Sequence, residues 1–586
     1  MTKGKPWHLK EGFLLGAGLI VMGLVLQLSI GPINWSIFTW PVNIVALGVL
    51  VAVIVGMHLL RRRVVAFQFL ATFGAAVPAL AYGTLLTVVM GLTRQEPDGS
   101  WLSDMLTFWP FVLIYTYIEL ILGLVILKQM SAAIAHRSPL MLRPSFIAHL
   151  GLFMALAAGT LGNADMKQLQ MWTTNNPELA NRYAGSDAFH QYERFALDEN
   201  GRHVELPIAV ELKRFIMEMY EDSVTPKRYA SEVVIYSKAS NHQYAATIDV
   251  NKPVTIDGWK IYQKDYRLTD AGDECQISIL ELVSDPWLPW VYAGIFLMLA
   301  GALLMLFTGR GRELRVKSEE LVMFWNSFIY FAIAALLLWT AGAVLAWKSK
   351  EKAAIGLTVA GLLVFFAYIL AMWITLERPP MRTMGETRLW YSLFLPLAGL
   401  FVYGRWRYKW ILTFSTIMAT VFICINLFKP EIHTKMLMPA LQSPWFAPHV
   451  IVYMFAYAML GASFLMAVWL LIKGEKRLAN TTADHMASVD NLVYVGLSFM
   501  TFGMLFGALW AKEAWGHYWA WDPKETWAAA TWLGYLTYIH YRRYPRHRTK
   551  VALWMLIVCF ALLQMCWWGI NYLPSAQGAS VHTYNS

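Results

Sequence analysis

Charge is what this sequence has least of. Of its 586 residues only 15% are Asp, Glu, Lys or Arg, while 57% are hydrophobic. An ordinary soluble domain carries about 25% charged residues, so neither a soluble globular chain nor a disordered one fits. Cysteine is nearly as scarce. Cys275, Cys424, Cys559 and Cys566 are the four present, with no Cys-x-x-Cys spacing, which argues against a zinc site, a disulfide framework and thiol chemistry of the chain's own. The formal net charge of +10 does not require nucleic acid as a partner. Lys and Arg stand in short clusters beside apolar segments, the pattern that orients membrane proteins.

What is abundant is apolar sequence in runs longer than the roughly 18 residues that mark a bilayer-spanning helix. The first run, about 12–31, has no small-residue cleavage site and reads as a retained anchor, with Lys3, Lys5 and Lys10 placing the N-terminus in the cytoplasm. Runs at about 40–60, 66–92, 106–128 and 144–162 follow, separated by loops marked by Arg61–Arg63 and by Lys128, Arg137 and Arg143. Five crossings deliver residue 163 to the outside. Residues 163–287 then turn polar and read as an exported, mainly β domain after an opening helix. Ala230–Ile235, Gln243–Val250 and Gln276–Leu282 alternate with strand period, and Asn251-Lys252-Pro253 and Asp257-Gly258 signal turns. This domain has no nucleophile elbow, P-loop or dinucleotide fingerprint, and its His190, His203 and His242 lack metal-ligand spacing, so it reads as a docking module.

A returning span at about 288–308 leads to a basic loop with Arg310, Arg312, Arg315 and Lys317, the natural boundary between two halves. The chain thus divides into transmembrane helices over 1–162, the β domain over 163–287, a returning helix and cytoplasmic linker over 288–318, and a second transmembrane domain over 319–586. The expected fold is an α-helical polytopic membrane protein of about 13–15 transmembrane helices with one small mainly-β extracytoplasmic domain. Basic loops after about 472 and 542 put the stretches 430–449, 511–525 and 571–586 outside, which needs an odd number of crossings between 310 and 449. Four runs are visible there, and the short one at 389–403 is the first candidate to be re-entrant, merged or double.

The densest chemical signal runs from Trp510 to Trp527, where Trp510, Trp515, Trp519, Trp521 and Trp527 put five indoles between two spans. A flat apolar ligand explains this, and so does a surface helix anchored by Trp. Asp522, Pro523 and Glu525 form a capping-box-like start for the next span. Among the histidines, His149 and His540 fall at similar depth near the cytoplasmic side and could ligate one iron, with His58 the competing partner of His540. Outside, His449 opens a span and His582 lies in the C-terminal tail. Taken singly, each reads more readily as a hydrogen-bonded interfacial residue, and the constellation is more persuasive than its members.

Trp515-Gly-His-Tyr-Trp519-Ala-Trp521-Asp522-Pro-Lys-Glu525-Thr-Trp527 closely resembles the WWD signature of haem-handling proteins in the form carried by the CcsA (ResC) branch. Leu441-Gln-Ser-Pro-Trp445-Phe-Ala-Pro-His449, Tyr538-Ile-His540-Tyr-Arg542 and Ser580-Val-His582-Thr-Tyr584 agree with it. The first half resembles CcsB (ResB) through His149-Leu-Gly-Leu152, Gly159 and Gly162, Gly258-Trp-Lys-Ile-Tyr262-Gln263, and Asp285-Pro286 before Gly294 and Gly301. The whole is similar to the fused CcsBA cytochrome c synthases of system II, with a short exported domain.

That resemblance implies a protein of the bacterial inner membrane, with the WWD segment and β domain on the periplasmic side, that moves haem b outward and joins it to the CXXCH motif of apocytochrome c. It implies His149 and His540 as transmembrane haem ligands, His449 and His582 as the external pair, and Trp515, Trp519, Trp521 and Asp522 as the porphyrin-binding segment. Catalysis would rest on proximity, with no dedicated acid or base. Implied partners are haem, apocytochrome c, thiol-reducing maturation proteins and membrane lipid. The rival readings are a haem exporter or presenter that forms no thioether, a di-haem quinone-linked oxidoreductase, and a transporter with an aromatic gate.

Overall fold

Apolar runs of this length have one economical solution in lipid, the α-helix, which satisfies its own backbone hydrogen bonds. A computed structural model describes residues 7–96, 99, 101–135, 143–175, 193–198, 201–219, 226–268, 275–307, 328–376, 379–380, 384–428, 439–473 and 482–576. The first half comprises α1 (Leu9–Ile30), α2 (Val42–Leu60), the short α3 (Val65–Leu70), α4 (Phe73–Leu92), α5 (Trp109–Ala135) and α6 (Pro144–Gly162). The single run expected at 66–92 is broken where Ala71 and Thr72 leave helical geometry and Thr72 caps the carbonyl of Phe69.

The chain then leaves the bundle as an eight-stranded sheet: β1 (Lys167–Thr173), β2 (Glu193–Leu197), β3 (His203–Met219), β4 (Pro226–Ser237), β5 (Gln243–Asp249), β6 (Val254–Ile256), β7 (Trp259–Leu268) and β8 (Cys275–Ser284). The strand order is β5-β4-β3-β2-β1-β8-β7-β6, and neighbouring strands are antiparallel. The expected strands and turns are present, with Asp257 (φ 49°) and Gly258 (φ 80°) making the tight hairpin between β6 and β7. In place of the expected opening helix, the described residues show a 3-10 turn, Asn163–Asp165, leading straight into β1. First and last strands pair from Lys167↔Ser284 to Thr173↔Ser278, so the domain is rooted on adjacent helices. Those are α6 and α7 (Leu288–Phe307), whose backbones touch: a Cβ on Gly151 would lie 2.7 Å from the Gly294 carbonyl oxygen, and one on Gly301 2.8 Å from the Ala148 nitrogen.

The second half comprises α8 (Phe328–Trp347), α9 (Glu351–Leu376), α10 (Met384–Trp406), α11 (Lys409–Phe428), α12 (Phe446–Lys473), α13 (Thr482–Trp515), α14 (Pro523–Arg543) and α15 (Thr549–Trp567). Among the described residues eleven helices are long and apolar enough to cross a membrane. With α7, α10 and α14 the described residues form fourteen long helices, which agrees with the expected architecture. The run at 389–403 is neither re-entrant nor double. It is the middle of a 23-residue helix, α10, whose first turn buries Glu386 and whose centre contains Pro396. Phe328, Leu376, Leu389 and Ile423 share one buried layer with Phe446 and Trp510. Ala346, Ala354, Tyr403 and Ile411 share another with Ala462. Four uninterrupted helices thus run between the same two layers, and the crossing conflict falls on residues 308–327, outside the described residues.

The sheet sits on the end of the bundle where α12 starts and α13 finishes. Asn251 Nδ2 donates to the Pro439 carbonyl (2.7 Å) and Gln442 Nε2 to the Lys227 carbonyl (2.9 Å). Between α13 and the chain leading into α7, Lys512 Nζ lies 3.3 Å from Asp285 Oδ2, with side chains 1% and 6% exposed.

Candidate functional site

Two imidazoles from opposite halves of the chain meet inside the bundle. The ring centroids of His149 on α6 and His540 on α14 lie 6.3 Å apart, tilted by 58°. His540 Nδ1 is 2.8 Å from the Leu536 carbonyl oxygen one turn back, and Phe73 packs its edge on the same ring at 6.0 Å. This contact gives Nδ1 the proton and leaves the lone pair on Nε2. His149 Nδ1 is buried without a hydrogen-bond partner, the Ser145 carbonyl being near without completing one. A metal shared by two imidazoles at about 2.0–2.1 Å from each nitrogen requires ring centroids roughly 6 Å apart. No group of three or more His, Cys, Asp or Glu suited to a bare metal ion occurs among the described residues. Two imidazoles at this separation could take one metal that brings its remaining ligands with it, as haem does. His58 is engaged elsewhere: its Nε2 is 2.9 Å from Ser131 Oγ on α5.

At the sheet-bearing end, His449 occupies the first turn of α12. Its Nδ1 is 2.8 Å from the Gly503 carbonyl oxygen on α13, a bond that again directs the lone pair to Nε2. The ring lies against Tyr453 (4.9 Å) and Trp510 (5.6 Å), and Gly507 makes room for it, since a Cβ there would stand 2.7 Å from its Cε1. An aromatic row continues from Trp510 to Trp515 at 5.1 Å and on to His517 at 6.5 Å, the last two planes only 18° apart. His582 lies outside the described residues.

The five indoles divide their labour. Trp510 and Trp527 are each 2% exposed and donate to the carbonyls of Ala440 (2.9 Å) and Gly91 (3.3 Å), so they are framework. Trp521 reaches across to the first half, with its edges on Phe111 (5.9 Å) and Tyr115 (6.3 Å) of α5, and Trp519 stands against it at 5.7 Å. Its φ of +57° is a left-handed conformation that costs a non-glycine residue about 1–2 kcal/mol, and strain of this kind collects at functional sites. Trp515 and Trp519 are half-buried. Asp522 and Glu525 form the expected capping box: the Glu525 N–H donates to Asp522 Oδ1 (2.8 Å), and Glu525 Oε2 accepts from Asp522 N–H (3.4 Å) and Ala520 N–H (2.8 Å). Asp522 thus shapes the loop by starting α14, a cap worth about 1 kcal/mol.

Gly516 bends this loop with φ 79°, and a Cβ there would lie 2.8 Å from Val283 and 3.2 Å from Tyr262. Gly516→Ala should therefore lift the loop off the sheet. The expected result is trypsin cleavage of the β domain accelerated severalfold in detergent, with the yield of folded membrane protein maintained. Sequence reasoning missed three residues at this seam: Tyr262, His517 and the Lys512 partner of Asp285. Tyr262 and His517 stand inside sequence motifs that gave them no role of their own, and a Lys three residues before Trp515 in an apolar run was the available signal for the third.

Comparison with known proteins gives two family matches, one in each half of the chain. The family described as cytochrome C assembly protein matches residues 383–576, and the ResB-like family matches residues 135–281. Cytochrome c biogenesis protein CcsA of Oenothera parviflora is 28% identical over 288 residues, which is 41% of this chain and 87% of that protein. The CcsA of Pyropia yezoensis is 28% identical over 319 residues, 44% of this chain and 97% of its own length. That of Chlamydomonas reinhardtii is 35% identical over 175 residues, 29% and 48% of the two chains.

Proposed function

Because this chain is a fused cytochrome c assembly protein of the CcsBA type, with ResB-like and CcsA-like parts in one polypeptide, we propose that it carries haem b across the membrane and attaches it to the CXXCH motif of apocytochrome c. The observation that carries this reading is the approach of His149 and His540, one from each part, to 6.3 Å inside the bundle. In this reading they hold haem in transit, and His449 with His582 holds it at the sheet-bearing end. Trp515 and Trp519 supply apolar contact for the macrocycle. Trp521 and Asp522 shape the loop that presents it.

The same reading assigns residues 1–162 and 163–287 to the CcsB-like helices and the external docking domain, 288–318 to a returning helix and linker, and 319–586 to the CcsA-like domain. Lys348, Lys350, Arg407, Lys409 and Lys473 stand at the bundle end opposite the sheet, which supports placing that end in the cytoplasm and the sheet on the periplasmic side of a bacterial inner membrane. Thioether formation adds a cysteine S–H across a haem vinyl group, sulfur to one carbon and hydrogen to the other. No oxidant or reductant is consumed, and alignment of thiol and vinyl supplies up to about 7–11 kcal/mol of the barrier lowering. Thiol-reducing partners would keep the cysteines available.

Coexpression with an apocytochrome in a host lacking its own maturation system tests this. Covalent haem on the cytochrome is expected from the wild type, and His449→Ala should reduce it about tenfold or more while haem bound at the His149–His540 pair persists. Bound haem without any holocytochrome would favour an exporter or presenter, and catalytic quinol oxidation by the purified protein a quinone-linked oxidoreductase.

A further inference from the structure

The seam between the loop 516–522 and strands β7 and β8 holds two buried polar atoms that find no hydrogen-bond partner among the described residues. These are Tyr262 Oη and His517 Nδ1. They belong to the two sides of one contact, Tyr262 to β7 and His517 to the loop packed on it. The Tyr262 ring lies against Gly516, the residue before His517, and Glu281 acts electrostatically on both side chains. Buried polar groups in a native fold are satisfied by protein, by ordered water or by a ligand.

The surroundings select the ligand's chemistry. Burial holds the His517 imidazole below its ordinary pKa and raises that of the Tyr262 phenol, so both are neutral and each offers a hydrogen-bond donor. Of the carboxylates that act on the two groups, Glu281 pairs with Lys264 at 2.5 Å and Asp285 with Lys512 at 3.3 Å, while Glu513 accepts from Ser443 Oγ and Trp445 Nε1 and Asp522 from the Glu525 N–H. A carboxylate entering here meets two donors, with Glu281 and Asp285 each held by a lysine and Glu513 and Asp522 each engaged by neutral donors. His517 also ends the aromatic row that passes through Trp515 and Trp510 to His449. A flat ligand along that row, with iron at the His449 end, would present its rim to the seam.

We propose that Tyr262 and His517 anchor a haem propionate beneath the β domain. This rests on the haem-handling reading and deepens it. Propionates occupy one edge of the porphyrin and vinyl groups lie toward the other, so an anchor at the seam fixes the rotation of the ring and turns the reactive vinyls away from the sheet. Tyr262 comes from the ResB-like part and His517 from the CcsA-like part, so the anchor exists only when the two are assembled.

The test titrates the detergent-purified full chain with haem and with haem dimethyl ester, following the absorbance change that His449→Ala removes. Tyr262→Phe and His517→Ala are each expected to weaken haem binding by about tenfold, the loss of one hydrogen bond to a charged group. Neither should weaken binding of the ester, and His517→Gln, which keeps a donor, should recover most of the loss. Unchanged haem affinity in both variants would overturn the anchor, and so would an equal loss for the ester, which marks a packing role. If haem and ester bind alike to wild type and the variants instead lose affinity for apocytochrome, the carboxylate belongs to the peptide and the proposal fails. A binding change indifferent to His449→Ala would remove the outer haem site itself, a different result from loss of the anchor alone.

Discussion

Alanine at position 149 or 540 should leave the purified protein with little haem in its membrane interior. Each substitution removes one of two imidazoles whose centroids stand 6.3 Å apart, and the remaining ring cannot complete a six-coordinate iron. Loss of groups that merely orient metal ligands costs about 10–100-fold in affinity, and loss of a ligand itself should reach or exceed the top of that range. His540→Gly with imidazole added to the medium should restore part of the Soret absorbance, because the cavity left by the side chain admits the free ligand. His58→Ala is the control, since its ring is held by Ser131, and it should retain haem content and spectrum. Full haem in His149→Ala together with none in His58→Ala would show that the wrong imidazole has been paired with His540.

Lys512→Ala or Asp285→Ala should destabilise the assembled protein by roughly 3–5 kcal/mol, the cost of leaving one charge of a buried pair without its partner. The two side chains are 1% and 6% exposed and join α13 to the chain entering α7, so they tie the CcsA-like part to the ResB-like part. Replacing both at once by Lys512→Met and Asp285→Leu should recover most of the loss, because apolar residues of similar volume commonly substitute for buried ion pairs at little cost. Thermal unfolding in detergent measures both effects. Single variants with wild-type melting would mean that water reaches the pair and that it does not hold the two parts together.

Much of this architecture was legible in the amino-acid sequence, because membrane spans announce themselves through length and hydropathy and β-strands through alternation. The 3.6-residue pattern was least informative where helices are buried by other helices. α10 carries Glu386 and Arg388 in its first turns and Pro396 at its centre, which shortened its apolar run to 389–403 and hid a full helix. The run at 66–92 concealed the opposite error, since apolar residues on both sides of Ala71 and Thr72 masked a break in the backbone. At the site, the capping residues Asp522 and Glu525 could be read locally because a cap is a short-range device. The division of the indoles could not. Trp521 finds Phe111 and Tyr115 about 400 residues away, and Trp527 finds Gly91. A pattern of tryptophans records their spacing and leaves unsaid which neighbours fold brings to them.

The glycine contacts between α6 and α7 bear on how a client protein reaches the site. With Gly151, Gly294 and Gly301 bringing the two backbones into touch, and β1 paired to β8 along its whole length, the stem of the extramembrane part is a fused double post rather than a flexible tether. Such a mount resists swinging. In the proposed reaction an incoming polypeptide would thread itself to a stationary platform, and the rate of haem attachment should be insensitive to solvent viscosity to the extent that it depends on no excursion of that platform.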